Sequence, residues 1–144
     1  MSLIKIWIHY VRSTKYRKPI LKEPYRSLLF QHIKQHAFEK NIFIDRINGY
    51  EEHVHAIVSL SPNQTIDGVA QILKGESSFW FNNKSGFKTP KLSWQDKYFA
   101  VSVSESALPV LRAYVDGQVL HHQKKTFKEE YDELMEKYGF PHLG

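Results

Sequence analysis

Apolar residues in this chain recur at every second position in some stretches and at every third or fourth in others. The order of these two spacings limits the folds open to it. Residues 3–12 alternate, with Ile4, Ile6, Ile8 and Tyr10 on one side of a strand and Lys5, Trp7 and His9 on the other. Leu28, Leu29, Ile33 and Ala37 then keep helical spacing across 23–40, with Pro24 in the first turn. "NIFIDRINGYEEHVHAIVSL" reads as two strands joined tightly near Gly49 to Glu52. Thr65 caps a second helix whose stripe is Ile66, Val69, Ile72 and Leu73, and which fades through "GESSFWFNNKSGFKTP". "SWQDKYFAVSVS" alternates again. A third helix is expected over about 106–122, with Ser106 as cap and Pro109 in its first turn. The last opens on a Thr126-x-x-Glu129 capping box, is apolar along Phe127, Tyr131, Leu134 and Tyr138, and ends at Gly139. The order β-α-β-β-α-β followed by two helices predicts an α+β, ferredoxin-like split arrangement. Its antiparallel sheet carries two helices on one face, and the C-terminal helices follow. No repeat or linker divides residues 1–144, so one domain is expected.

Charge narrows the partners. The first fifty residues hold ten Lys and Arg against three Asp and Glu, and the remainder hold ten against twelve. The densest run, "RSTKYRKPILKEPYR", carries Arg12, Lys15, Arg17 and Lys18 around Tyr16. A basic run with an aromatic inside it suits a polyanion, and Arg12, Lys15, Arg17 and Lys18 are the expected contacts to a nucleic-acid backbone. The bland reading is a solvated turn. With no cysteine, a disulfide framework and thiolate metal sites are excluded, which fits the cytoplasm. No stretch approaches the roughly 20 apolar residues that a bilayer-spanning helix needs, and the alternating N-terminus suits a strand better than a signal peptide.

Within "EEHVHAIVSL", His53 and His55 leave one face of a strand while Val54, Ala56, Val58 and Leu60 leave the other. Two neutral imidazoles side by side make half of a metal site. Alone, the pair is what the ordinary polar face of a half-buried strand also shows, and the rest of the chain has to decide. In "LRAYVDGQVLHH", Tyr114 and Gln118 stand i, i+4 on one helix face, and His121 continues that stripe. Leu108, Leu111, Val115 and Val119 form a separate stripe that can dock the helix, so Tyr114 is free for another role. Phe79, Trp80, Phe81 and Trp94 offer stacking surfaces for unpaired bases, with at least two of the four expected in the core. His9 is expected to be structural.

His53-Val54-His55 followed by Tyr114-x-x-x-Gln118 resembles the single-tyrosine HUH transposases of minimal bacterial insertion sequences, the IS-two-hundred-like class. "STKYRKPIL", "ILKGESS", "WQDKYFAVSVSES" and "YVDGQVLHHQKKTFKEEY" fall in that family's order, so the similarity spans nearly the whole chain. Glu52 stands where the family usually has Asp, and keeps its charge. The resemblance implies that His53, His55 and Gln118 hold one divalent cation, Mg2+ or Mn2+, and that Tyr114 is the nucleophile on single-stranded DNA. His121 is a possible auxiliary group. It further implies hairpin DNA as partner, a 5′-phosphotyrosine intermediate, and a homodimer in which one subunit's His pair meets the other's tyrosine helix. The protein is expected to be cytoplasmic, joining the nucleoid when bound to DNA. Two other functions stay open: a domesticated relative acting on chromosomal palindromes, and a non-catalytic nucleic-acid-binding module. The second has no need of Tyr114 together with two histidines and Gln118.

Overall fold

The computed structural model describes residues 2–140. Four antiparallel strands, β1 (Trp7–Ser13), β2 (Phe43–Tyr50), β3 (His53–Ser59) and β4 (Phe99–Val103), lie in the order β2-β3-β1-β4. Between them run α1 (Tyr25–Glu39) and α2 (Ile66–Asn83), and after β4 come α3 (Leu108–Asp116), α4 (Gln118–His122) and α5 (Phe127–Tyr138). The expected α+β, ferredoxin-like sheet with added C-terminal helices is what the chain adopts. Residue 1 and residues 141–144 lie outside the described part of the expected domain. Among the described residues, no helix is long and apolar enough to cross a membrane.

Alternation along the central strands decides which layer covers which face. Ile8, Tyr10, Ile44, Ala56 and Val58 point to one side and pack with Leu29, Phe30 and Ile33 of α1 and Val69, Ala70 and Phe81 of α2. Trp7 and Ile57 point to the other, under Leu108 and Val115 of α3. Val11 and Phe99 meet Phe127 and Met135 of α5 on that same side. The sheet is therefore the middle of three layers, and the face bearing His53 and His55 is roofed rather than open. The β2–β3 hairpin depends on Gly49, where a β-carbon would stand 2.1 Å from the His53 carbonyl oxygen. Only glycine allows that approach.

Four elements depart from expectation. β1 begins at Trp7 rather than residue 3, because its partners end at Ser59 and Val103, both opposite Trp7. Ile4 and Ile6 consequently remain exposed. β4 is likewise shorter, and Trp94 contributes only an isolated bridge to Thr14. α2 does not fade but continues to Asn83. Its Ser77 and Ser78 hydroxyls, which can compete with a helix, instead donate back to the Leu73 and Lys74 carbonyls. The single helix expected over 106–122 is a short 3-10 turn followed by α3 and α4, broken at Gly117.

Candidate functional site

β3 is paired on both sides, so His53 and His55 sit at the middle of the sheet, and α3–α5 leave them no exposed surface. His53 Nδ1 lies 2.7 Å from Glu52 Oε1, and its Nε2 lies 2.9 Å from Gln118 Oε1. Because a carboxylate takes the Nδ1 proton, a His53 with one ring proton turns a bare Nε2 lone pair toward an amide oxygen, itself an acceptor. The amide is oriented by its other end, whose Nε2 donates to Glu130 Oε2 at 3.2 Å. Two lone pairs facing each other at hydrogen-bond distance are satisfied by a cation. His55 is held the other way round, with the carboxylate at its Nε2 to accept the ring proton. Its Nδ1 is 2.9 Å from His9 Nε2, leaving Nε2 directed at Glu130 Oε1, 3.0 Å away. His53, His55 and Glu130 bring their ligand atoms within 4.8 Å of one another, and Gln118 adds an oxygen beside them. This neutral-plus-anionic N/O donor set fits a divalent cation.

The Tyr114 hydroxyl donates to Glu130 Oε2. Burial, then that bond and the carboxylate's charge, push the phenol well above its ordinary range, so it is held protonated. For Glu130, burial works upward, but contacts from His122, His55 and Tyr114 outweigh it and keep the carboxyl far below the usual carboxylate range. Burial lowers His9 to about 3 and His55 to about 4, so both rings are neutral in the fold. His121 Nε2 and His122 Nε2 approach Glu130 Oε2 to 3.2 and 3.3 Å. The cluster thus surrounds one carboxylate with four imidazoles, an amide and a phenol.

The residues expected from the sequence to act together, His53, His55, Tyr114 and Gln118, meet within a single chain, with His121 alongside. Leu108 and Val115 dock the tyrosine helix on Trp7 and Ile57 of its own sheet. Gly117 makes the turn that delivers Gln118: a β-carbon there would lie 3.2 Å from the Ala113 carbonyl oxygen. His9 is structural as expected, fully enclosed and stacked on His55.

Glu130 is the member the sequence reading missed. The one local signal for it is its place three residues after Phe127 and four before Leu134, a carboxylate within the apolar side of α5. Of the basic residues, Lys15, Arg17 and Lys18 are exposed in and after a 3-10 turn. Arg12 is not with them. It is buried, its guanidinium donates to the Ala70 and Asp96 carbonyls, and it stacks on Tyr98, so its charge is spent inside the fold. Lys15, Tyr16, Lys18, Lys22, Tyr25 and Lys91 line a groove of about 690 Å3, in which Lys91 was not anticipated. Phe81 and Trp94 are core residues, Phe79 is exposed, and Trp80 stacks on His32.

The family described as "Transposase IS200 like" matches residues 2–118. Among the solved structures that share the fold are two transposases. One is a candidate transposase of Deinococcus radiodurans R1, at 21% identity over 81% of this chain and 93% of that one, with a TM-score of 0.64. The other is a REP-associated tyrosine transposase bound to a REP hairpin, at 20% identity over 86% and 71%, with a TM-score of 0.54. No curated protein matches the chain. A family match over most of the chain, with a histidine pair at the centre of its sheet, establishes the relationship: the chain belongs to the IS200-like transposase family.

Proposed function

We propose that this protein cuts and rejoins single-stranded DNA by transesterification through Tyr114, acting at hairpin-bearing ends of a mobile element. The observation that carries the reading is a tyrosine hydroxyl hydrogen-bonded into the buried cluster of His53, His55, Gln118 and Glu130. A structural tyrosine has no need of such surroundings. In the reaction the Tyr114 oxygen attacks phosphorus, the P–O bond to the 3′-oxygen breaks, and a 5′-phosphotyrosine and a 3′-hydroxyl result. Tyr114 gives up its phenolic proton and the leaving 3′-oxygen takes one up, so the step is proton-neutral, and Glu130 Oε2, which accepts the phenol's hydrogen bond, positions the attacking oxygen. Bond energy stays in the covalent intermediate, so a 3′-hydroxyl can reverse the step and join strands without ATP.

A divalent cation, Mg2+ or Mn2+, held by His53, His55 and Gln118 with Glu130, supplies charge neutralisation at the scissile phosphate when bound. His9 and Glu52 fix the two ligand rings through their Nδ1 atoms, as partners behind a metal ligand do. Lys15, Lys18 and Lys91 favour the phosphate backbone along their groove, and Tyr16 and Tyr25 offer rings for unpaired bases. The REP hairpin bound by the structural relative supports hairpin DNA as the partner. It equally favours a second reading with the same chemistry, in which the substrate is a dispersed chromosomal palindrome.

Incubating the protein with single-stranded hairpin DNA and Mn2+ should give a covalent protein–DNA adduct. Tyr114→Phe should abolish the adduct while retaining DNA binding in a mobility-shift assay. An undiminished adduct from this variant would reject the assignment.

A further inference from the structure

The two oxygens of Glu130 face different sets of ligands. Oε1 looks toward His53 and His55, at 3.5 and 3.0 Å. Oε2 looks toward His121 and His122, at 3.2 and 3.3 Å. His121, His122 and Glu130 form a second group whose ligand atoms all lie within 4.8 Å of one another. On this side the imidazoles approach the carboxylate without well-aligned hydrogen bonds, around the same oxygen that accepts from Tyr114 and Gln118. The Nε2 atoms of both His121 and His122 are buried and have no hydrogen-bond partner, despite their closeness to the carboxylate. The His122 side chain is 2% exposed, with Tyr50 stacked on one side of it and His53 edge-on to it. The His121 ring stands edge-on to Tyr114. Buried nitrogens without partners cost free energy, and here two converge on one carboxylate oxygen.

We infer that His121, His122 and Glu130 bind a second divalent cation, with Glu130 bridging it to the ion held by His53 and His55. This goes beyond the proposed function, which needs one ion, and shares with it only the bridging carboxylate. A carboxylate offering one oxygen to each of two ions is the usual bridge of two-metal sites, whose ions stand roughly 3.5–4 Å apart. Adjacent residues on one short helix supply both imidazoles, and a second helix supplies the carboxylate. The site therefore forms only when α5 is docked on α4. Two nitrogen donors without the amide oxygen that Gln118 adds at the first position favour Mn2+, Co2+ or Zn2+ over Mg2+ more strongly here than there. The second ion also puts positive charge beside the Tyr114 oxygen, which donates to the same Glu130 Oε2.

The test counts ions rather than turnover. The full chain, stripped with chelator, is titrated with Mn2+ by calorimetry and followed by electron paramagnetic resonance. Wild type should take up two ions per chain with a spin-coupled spectrum, and His121→Ala/His122→Ala should take up one without coupling. Mg2+ should fill the second position roughly tenfold more weakly or worse. His122→Phe alone, which keeps a ring against Tyr50 but offers no ligand atom, serves if the double variant melts early, and should likewise lose the coupling. A wild type that binds one ion, lost in His53→Ala/His55→Ala, would overturn the second site and leave the proposed function standing. Two ions retained in the double variant and in the His122 single variant would overturn it too. No ion at all would reject the second site and the cation of the proposed function together, whereas the Tyr114→Phe adduct assay fails or succeeds independently of this count.

Discussion

Burying His9, His55 and Glu130 together ties the stability of the fold to pH, and all three act in one direction. His9 and His55 titrate near 3 and 4 in the fold, against about 6.5 in the unfolded chain. Below about 6.5 the unfolded chain takes up protons that the folded one refuses. Stability is then lost progressively until the folded values are reached. Glu130, held below the ordinary carboxylate range, contributes above its unfolded value and loses that contribution as pH falls. The melting temperature of metal-free protein should therefore drop steadily between about pH 6.5 and 4.5. Each histidine contributes up to about 1.4 kcal/mol per pH unit. A flat profile would show that the two rings reach solvent. At this scale the histidine pair, Tyr114 and Gln118 were legible, because strand and helix periodicity place them on shared faces. Glu130 and the inward turn of Arg12 were not. Each depends on contact with a residue far along the chain: His55 is 75 positions from Glu130, and Asp96 is 84 from Arg12.

α5 is the element on which the closed cluster depends. It brings Glu130 down, stacks Phe127 on His53 at 4.3 Å between ring centroids, and anchors itself through Met135 beside Val11 and Phe99. Its start was readable from the sequence because a capping box is local. The Thr126 hydroxyl accepts from the Glu129 N–H, and the Glu129 carboxylate answers at the Thr126 N–H. Gly139 closes the other end in the left-handed conformation. Thr126→Ala should cost about 1 kcal/mol, read as a lower melting temperature and as faster hydrogen exchange of the α5 amides. If exchange in α5 is unchanged, the cap is not what holds the helix. Other elements were less legible because neighbours set their limits. β1 stops where its partners stop, and α2 persists through "GESSFWFNN" because Phe81 is drawn into the core and Ser77 bonds to Trp94. The break at Gly117 follows from burying Gln118, a polar residue that periodicity alone places on a continuous helix.

At the scale of the molecule, the question is whether one chain or two complete an active site. The order β2-β3-β1-β4 leaves β2 and β4 with unpaired outer edges, and such edges invite pairing with another chain. Joining two DNA ends in one complex also favours two copies, and we propose a homodimer on those grounds. In the described chain the tyrosine helix stays on its own sheet. The link from β4 to α3 is a single short turn, Glu105–Ala107, and Trp7 Nε1 donates to Glu105 Oε2 at 2.6 Å, pinning that turn to the chain's own sheet. Asn48 of β2 donates to the Val115 carbonyl, and Arg112 reaches Asp45 of β2 at 2.8 Å, so α3 is fastened along its length to the same sheet. Moving α3 and α4 to a partner would break each of these contacts within the chain, and an exchanged dimer would have to remake them all across the two subunits. Mixing Tyr114→Phe with His53→Ala/His55→Ala should therefore restore no cleavage, even where crosslinking demonstrates mixed dimers. Every site would then lack either its nucleophile or its histidines. Cleavage returning in the mixture would mean that the tyrosine helix crosses to the partner when DNA is bound, and that the contacts of Asn48 and Arg112 yield to that exchange.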